Sequence, residues 1–342
     1  MRLREIGDVV FTTPAIRALR SRFPDARLAY LVEPAAAPVV ADNPHIDELV
    51  TAPRTRGLGG LAADLALGRR LRADRYDLAI DFHGGPRASL LTWLSGAPRR
   101  IGYDVAGRAW VYTERVARPR ELRRRHSVEN QWDLLTPLGI APPDRSADAV
   151  EMHVDAAVVA SVGERLARAG VVKGDRLIVV HVSAGNPFRR WPLESFVAVV
   201  RALLARDPRR RVIVTSGPSE RDAAARVVEA SGALACGDFS LAELRALVDR
   251  AALYIGGDSG PLHIAATSRV PIVGLFGPTL PERSAPWRDA RAPVASLDAG
   301  PLPCRPCDQR VCAPGDFRCL TRIEPAMVID AAERLLARSP EP

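Results

Sequence analysis

The chain has 342 residues, 47% apolar and 26% charged, a balance that excludes a disordered polymer and supplies material for about two packed domains. The formal net charge of +8 favours an acidic partner, either a phosphorylated substrate or an anionic membrane. With five Tyr, eight Phe and no run mixing basic and aromatic residues, a nucleic-acid stacking surface is not indicated.

The opening, MRLREIGDVVFTTPAIRALRSRFPDARLAYLV, reads as turn, helix and strand. The helix spans roughly 10–22 and the strand 28–32, so Asp8 lies in a loop at a helix N-terminus. A parallel sheet would normally place an apolar strand before that turn, yet only residues 1–4 precede it. The expectation is a start upstream of Met1 or an unusually short first strand. Val9-Val10-Phe11 is too brief for a signal sequence, and no stretch approaches the ~18 apolar residues of a membrane-spanning helix. A cytoplasmic protein is expected, peripheral to the membrane if it touches one.

A strand over 78–82 ends in His83-Gly84-Gly85, followed by helix at 90–94 and a short strand at 101–103. PRELRRRH at 119–126 is a basic loop, and a helix over 128–138 stops at Gly139, a suitable C-cap. After the Pro-rich loop 140–150 come a helix at 156–169 and a restart of strand–helix alternation at Leu177. The domain boundary is therefore expected near 170, giving domains 1–170 and 171–342. The second half alternates strands at 177–182 and 212–216, a weak one near 234, and strands at 253–255 and 271–276, with helices at 193–206, 220–231 and 240–250. Such alternation predicts doubly wound parallel α/β sheets in both halves. A last helix covers 324–337.

Within this pattern, Gly256-Gly257-Asp258-Ser259-Gly260 joins a strand to a helix that opens at Pro261 and carries His263. Ligands of open α/β sheets bind at carboxyl ends of strands, and free N–H groups at a helix start favour phosphate. The turn is thus the expected seat of a nucleotide or nucleotide-sugar; the plain alternative is a βα turn with a core histidine. Cys304, Cys307, Cys312 and Cys319 fall within 16 residues, apart from Cys236. Close cysteines in a reducing compartment point to metal before disulfides, and four thiolates suit structural Zn or Fe. Only the first pair has knuckle spacing.

Several segments in order, IGDVVFTTPAIRALR (6–20), AIDFHGGPRASLLTWLSGAPRRIGYD (79–104), RRWPLESF (189–196), GGDSGPLHIAA (256–266) and PIVGLFGPT (271–279), together with the Cys-bearing tail, resemble glycosyltransferase family 9, the ADP-heptose:lipopolysaccharide heptosyltransferases. The resemblance implies the GT-B fold, two Rossmann-like domains with a C-terminal helix crossing back to the first. It implies inverting transfer of heptose from an ADP-sugar donor to the lipopolysaccharide inner core (a Kdo/heptose-lipid A acceptor). Asp8 matches the family's general base; a bare helix cap is the other reading. By the same resemblance Gly257, Asp258, Ser259, Gly260 and His263 form the donor turn, with Asp258 on sugar hydroxyls and His263 near phosphates. Ser259 stands where the family often has Thr. Arg189 stands where the family usually has Lys, and with Arg190 it would neutralise the leaving diphosphate. No Asp-x-Asp lies in a suitable turn, so metal-independent catalysis without a cofactor is expected. Ser183 and Glu220 are weaker donor-binding candidates. Arg87, Arg99, Arg100, Arg120 and Arg123, with Arg124 and Arg125, are candidates for a phosphorylated acceptor or the anionic inner membrane. Competing readings are a family-9-like transferase with another donor or acceptor (a glycan or a protein) and a non-catalytic sugar-nucleotide-binding module. A third, a nucleic-acid binder, rests on charge alone.

Overall fold

The computed structural model describes residues 1–54, 57–118, 125–182, 184–307 and 309–338. Two compact units divide the chain, 1–153 and 154–342. The boundary is thus earlier than expected. The helix at Ala156–Arg168 belongs to the second unit, because its Arg165 donates to the carbonyls of Cys236 and Asp238 there.

In the first unit, strands β1 (Ala29–Val32) and β2 (Glu48–Thr51) pair in parallel, as do β3 (Leu78–Ile80), β4 (Arg99–Asp104) and β5 (Glu114–Ala117). Residues 1–3 run between the two sets. The Arg2 N–H donates to Leu31 O, the Met1 ammonium to Ile80 O at 2.6 Å, and the Phe82 N–H to Met1 O. These residues bridge the two sets by backbone hydrogen bonds without being a regular strand. Helices α1 (Ile6–Val10), α2 (Thr13–Arg22), α3 (Gly57–Ala73), α4 (Pro86–Leu94) and α5 (Ser127–Trp132) complete the unit. The single helix expected over 10–22 is two, broken at Phe11-Thr12. The one expected over 128–138 passes into a 3-10 turn at Asp133, with Pro137 inside it and Gly139 at φ 70° as its left-handed cap. Its core gathers Ile80, Phe82, Ile101, Tyr103, Trp132 and Leu135.

The second unit carries one parallel sheet, β6 (Arg176–Val182), β7 (Arg210–Ser216), β8 (Leu253–Gly257), β9 (Ile272–Phe276) and β10 (Val294–Asp298), in the order β10-β9-β8-β6-β7. β8 and β9 are buried throughout. The weak strand near 234 is a single bridge, Ile213 with Leu234. Helices are α6 (Ala156–Arg168), α7 (Leu193–Arg206), α8 (Arg221–Ser231), α9 (Leu241–Asp249), α10 (Gly260–Ala266), α11 (Pro281–Ser284), α12 (Arg318–Thr321) and α13 (Pro325–Leu336). The terminal helix, expected to cross back, buries Val328, Ala331, Ala332, Leu335 and Leu336 in the second unit's core beside Val199, Leu203 and Val273. Glu333 fixes it from the other side, accepting 2.6 and 2.8 Å bonds from both terminal nitrogens of Arg210. We expect Leu336→Ala to destabilise the second unit by about 2–5 kcal/mol. Native-state hydrogen exchange should show faster opening of β6–β10 with β3–β5 unchanged.

Candidate functional site

The second unit's site is built at the carboxyl end of β8. The strand delivers Asp258 into a turn where its N–H donates to Leu275 O at 3.0 Å, pinning the backbone to β9. Its carboxylate is only 3% exposed. Three segments converge on it. The Thr279 hydroxyl, in the loop after β9, donates to Oδ2. Arg189 Nη1 lies 3.3 Å from Oδ2 and donates to the Asp258 carbonyl at 3.2 Å. His263 Nε2, one turn into α10, lies 3.5 Å from Oδ1. Burial alone would raise the Asp258 pKa, but His263, Arg189 and Thr279 outweigh it and hold the carboxyl below the usual range.

Arg189 is itself steered by Gln309, whose Oε1 accepts from its Nε at 2.7 Å and from Asn186 Nδ2 at 2.9 Å. Arg190 turns away. It donates to Ala184 O at 2.8 Å and lies 3.4 Å from Glu220 Oε1, which also accepts from Ser219 Oγ at 2.5 Å. Sequence reasoning thus assembled Asp258, His263 and Arg189 correctly as neighbours, but missed Thr279, Asn186 and Gln309. Thr279 was visible as the end of PIVGLFGPT. Gln309 sits among the cysteines, where no periodicity marks it. Ser183, Arg120, Arg123 and Arg124 lie outside the described residues.

In the first unit Asp8 sits inside α1, not in a loop before a helix, and its side chain is about one-third exposed. It caps nothing: Glu5 is the N-cap position, and no side chain bonds there. The Asp8 carboxylate instead meets the Arg2 guanidinium, Nη2 to Oδ2 at 2.5 Å, and Arg2 Nη1 donates to Phe82 O at 2.6 Å. Gln131 Nε2 donates to the Asp8 carbonyl at 3.3 Å. Beside this pair, the loop after β3 is organised by buried Asp81. Its Oδ1 accepts the His83 and Gly84 N–H groups at 2.9 Å each, and its Oδ2 the Tyr112 hydroxyl at 2.6 Å. The loop bends through Gly84 at φ 65°, and a Cβ on Gly85 would come within 2.6 Å of the His83 ring, so both glycines are required. His83 Nδ1 lies 3.2 Å from Arg4 O, and burial, helped by Arg2, lowers its pKa so that the ring is neutral at pH 7. Arg2 and His83 had no place in the expected site.

Each described candidate acceptor arginine has internal partners. Arg87 makes a fork on Asp64 (Nε 3.0 Å, Nη2 2.7 Å), approaches Glu33 at 3.2 Å and donates to the Ala52 and Pro53 carbonyls. Arg99 pairs with Glu114 at 2.7 Å, and Arg100 donates to Val111 O and Ala97 O at 2.6 Å. Both stand at the amino end of β4, opposite the end where α/β sheets bind ligands. Arg125 pairs with Asp133 at 2.5 Å.

Cys304, Cys307, Cys312 and Cys319 line one cavity of about 240 Å³. Burial raises the Cys319 pKa, and Cys304 and Cys312 nearby add to the rise. Among the described residues, no group of three or more His, Cys, Asp or Glu side chains is gathered closely enough to hold a metal ion.

A family model described as glycosyltransferase family 9 (heptosyltransferase) matches residues 65–313. Lipopolysaccharide heptosyltransferase 3 of Escherichia coli is 31% identical, over 98% of each chain. The glycosyltransferase family 9 structure from Veillonella parvula superposes with a TM-score of 0.86 at 26% identity, covering 98% of this chain and 96% of that one. E. coli ADP-heptose lps heptosyltransferase II superposes at 0.76 with 18% identity, covering 99% of both, and shares the fold. The two doubly wound units are those of the GT-B fold.

The Asp258 cluster has a pH signature. A carboxyl held low in the folded state adds stability that is present above its ordinary range near pH 4 and is lost as pH falls through the folded value. Arg189→Met removes one compensating charge and raises that value. Acid unfolding followed by circular dichroism should therefore begin at higher pH in the variant; an unchanged acid midpoint would remove Arg189 from the cluster.

Proposed function

The chain belongs to glycosyltransferase family 9, the heptosyltransferases, and we propose that it moves a heptose from ADP-heptose to a hydroxyl of the lipopolysaccharide inner core, with inversion at the anomeric carbon. The observation that carries the reading is Asp8. It is a partly exposed carboxylate in a first-turn position that does no capping, oriented by Arg2 alone among charged side chains it pairs with among the described residues. A general base needs that freedom, because it must reach the proton of an acceptor hydroxyl.

The step follows. An Asp8 oxygen takes the hydroxyl proton as the acceptor oxygen bonds to the anomeric carbon. The bond from that carbon to the β-phosphate oxygen breaks, and ADP leaves with the electron pair. In the second unit, the backbone N–H groups of Ser259 and Gly260, with His263 and Arg189, receive the growing diphosphate charge, and Asp258 orients both side chains while meeting sugar hydroxyls. Arg190 and Glu220 lie toward the ribose. Positive side chains do here what a divalent cation does in other transferases, so the reaction proceeds without added metal. Arg87, Arg99, Arg100 and Arg125 are held by internal partners, so the acceptor's phosphates and carboxylates are assigned to partly exposed Arg4, which only approaches Glu5 at 3.8 Å. The acceptor is lipid-linked, which places the reaction at the cytoplasmic face of the inner membrane. No helix among the described residues is long and apolar enough to cross it.

Asp8→Asn should fold and bind ADP normally while turnover, read as ADP release with ADP-heptose and a heptose-deficient lipopolysaccharide, falls by about 10²–10⁴-fold. Near-normal turnover would refute the assignment. Calorimetry should show binding selective for ADP over UDP and GDP and tighter for ADP-heptose; preference for UDP or GDP would keep the fold and overturn the donor. Excess EDTA should leave the rate unchanged, and a loss restored by Mg²⁺ would overturn the metal-independent step.

A further inference from the structure

The first unit exposes a set of large apolar side chains that the transfer chemistry does not use. Trp110 is 61% exposed and Trp93 47%, and the two rings meet edge to face, 6.0 Å apart at 71°. The other tryptophans of the chain, Trp132, Trp191 and Trp287, are buried. On the adjoining helix α3, Leu61 and Leu65 are 52% and 37% exposed. α3 and α4 touch where Gly68 meets the Leu94 side chain, with the Arg72 side chain over Gly96. Leu61, Leu65, Arg69 and Arg72 follow at i, i+4, i+8 and i+11, one stripe of α3 that runs alongside that contact. Exposed leucines and arginines of α3 and the exposed indole pair thus stand on neighbouring elements.

The charge on these elements has one sign. Asp64 is the single carboxylate in α3, α4 and the 109–111 turn, and Arg87 neutralises it. Arg70 is taken by Glu48. Arg69 and Arg72 are exposed and make no ion pair among the described residues. An apolar patch rimmed by uncompensated cations complements an anionic lipid surface: indoles settle at the headgroup level with the N–H toward water, and arginine stems lie along the apolar surface while the guanidinium reaches phosphate. A second copy of the chain would bring the same positive rim against itself. The patch also lies close to the chemistry. α4 starts at the Gly84–Gly85 loop beside His83, and at 1.5 Å per residue Trp93 is roughly 10 Å along it.

We propose that Trp93, Trp110, Leu61 and Leu65, with Arg69 and Arg72, form a docking surface for an anionic phospholipid membrane. The proposal deepens the reading of a lipid-linked acceptor, and its test is independent of transfer. Purified protein is sedimented with phosphatidylcholine vesicles and with vesicles in which about a third of the lipid is phosphatidylglycerol, and tryptophan emission is quenched with iodide. The expected result is binding to the anionic vesicles only, weakened by salt, with Trp93 and Trp110 becoming shielded from iodide. W93S/W110S and R69Q/R72Q should each reduce the bound fraction by about tenfold. Both variants should melt like the parent and transfer heptose to a delipidated, water-soluble acceptor at the parental rate, so that failure of vesicle binding and failure of the transferase reading are read separately. Equal binding by the variants and the parent would overturn the proposal, as would equal binding to neutral and anionic vesicles. A change from dimer to monomer in W93S/W110S, seen by light scattering, would assign the patch to a second copy and overturn it too.

Discussion

Asp258 is an ionised carboxylate almost sealed from water, at the one place where β8, β9, the 184–192 loop and α10 come together. Burying such a charge without partners costs several kcal/mol. Its compensation therefore dictates local structure: Arg189 must lie across the turn, Thr279 must close over it, and His263 must point back from the first turn of α10. Each partner arrives on a different loop, so one buried charge ties the sheet end into a single arrangement. The same compensation puts a guanidinium and an imidazole beside the N–H groups of the turn. On the proposed function, structural necessity and donor chemistry use the same atoms.

The first unit applies the opposite rule. Asp81, fully buried, is satisfied by two backbone N–H groups and the Tyr112 hydroxyl, and so it shapes a loop and has no capacity left for chemistry. Asp8 has one charged partner and remains open to water. Two carboxylates at neighbouring strand and helix ends thus differ in role because one has its lone pairs filled by the fold and the other does not. Arg2 gives Asp8 a direction, and it can do so only because residues 1–3 lie between β1 and β3.

Where apolar periodicity was strong, the sequence was a sufficient guide. β6 to β9, α7 and the terminal helix are runs of Val, Ile and Leu at strand or helix spacing, and they lie where expected. The turn 256–263 was legible because small residues, Pro and a strand on each side leave few conformations open. α3 was not. Its sequence GLGGLAADLALGRRLRA carries glycines throughout and leucines that face solvent, so neither period appears, and the strands at 48–51, 114–117 and 294–298 are short and half exposed. Arginine roles were the least legible. Sequence spacing says that Arg87, Arg99 and Arg100 are near strand ends, but not which end of the sheet nor which carboxylate waits beside them. The cysteines line one cavity, which their spacing along the chain did not reveal. The terminal helix finds partners for its apolar stripe and for Glu333 in the second unit.

The central claim is that the Asp258 turn is the seat of the donor. Hydrogen–deuterium exchange with and without ADP-heptose, read by peptide mass spectrometry, tests it most directly. Slower exchange confined to 256–266 and 184–190 is the result expected if the diphosphate and sugar are held by this turn and Arg189. Protection elsewhere in the second unit, with 256–266 exchanging at the unliganded rate, would contradict it.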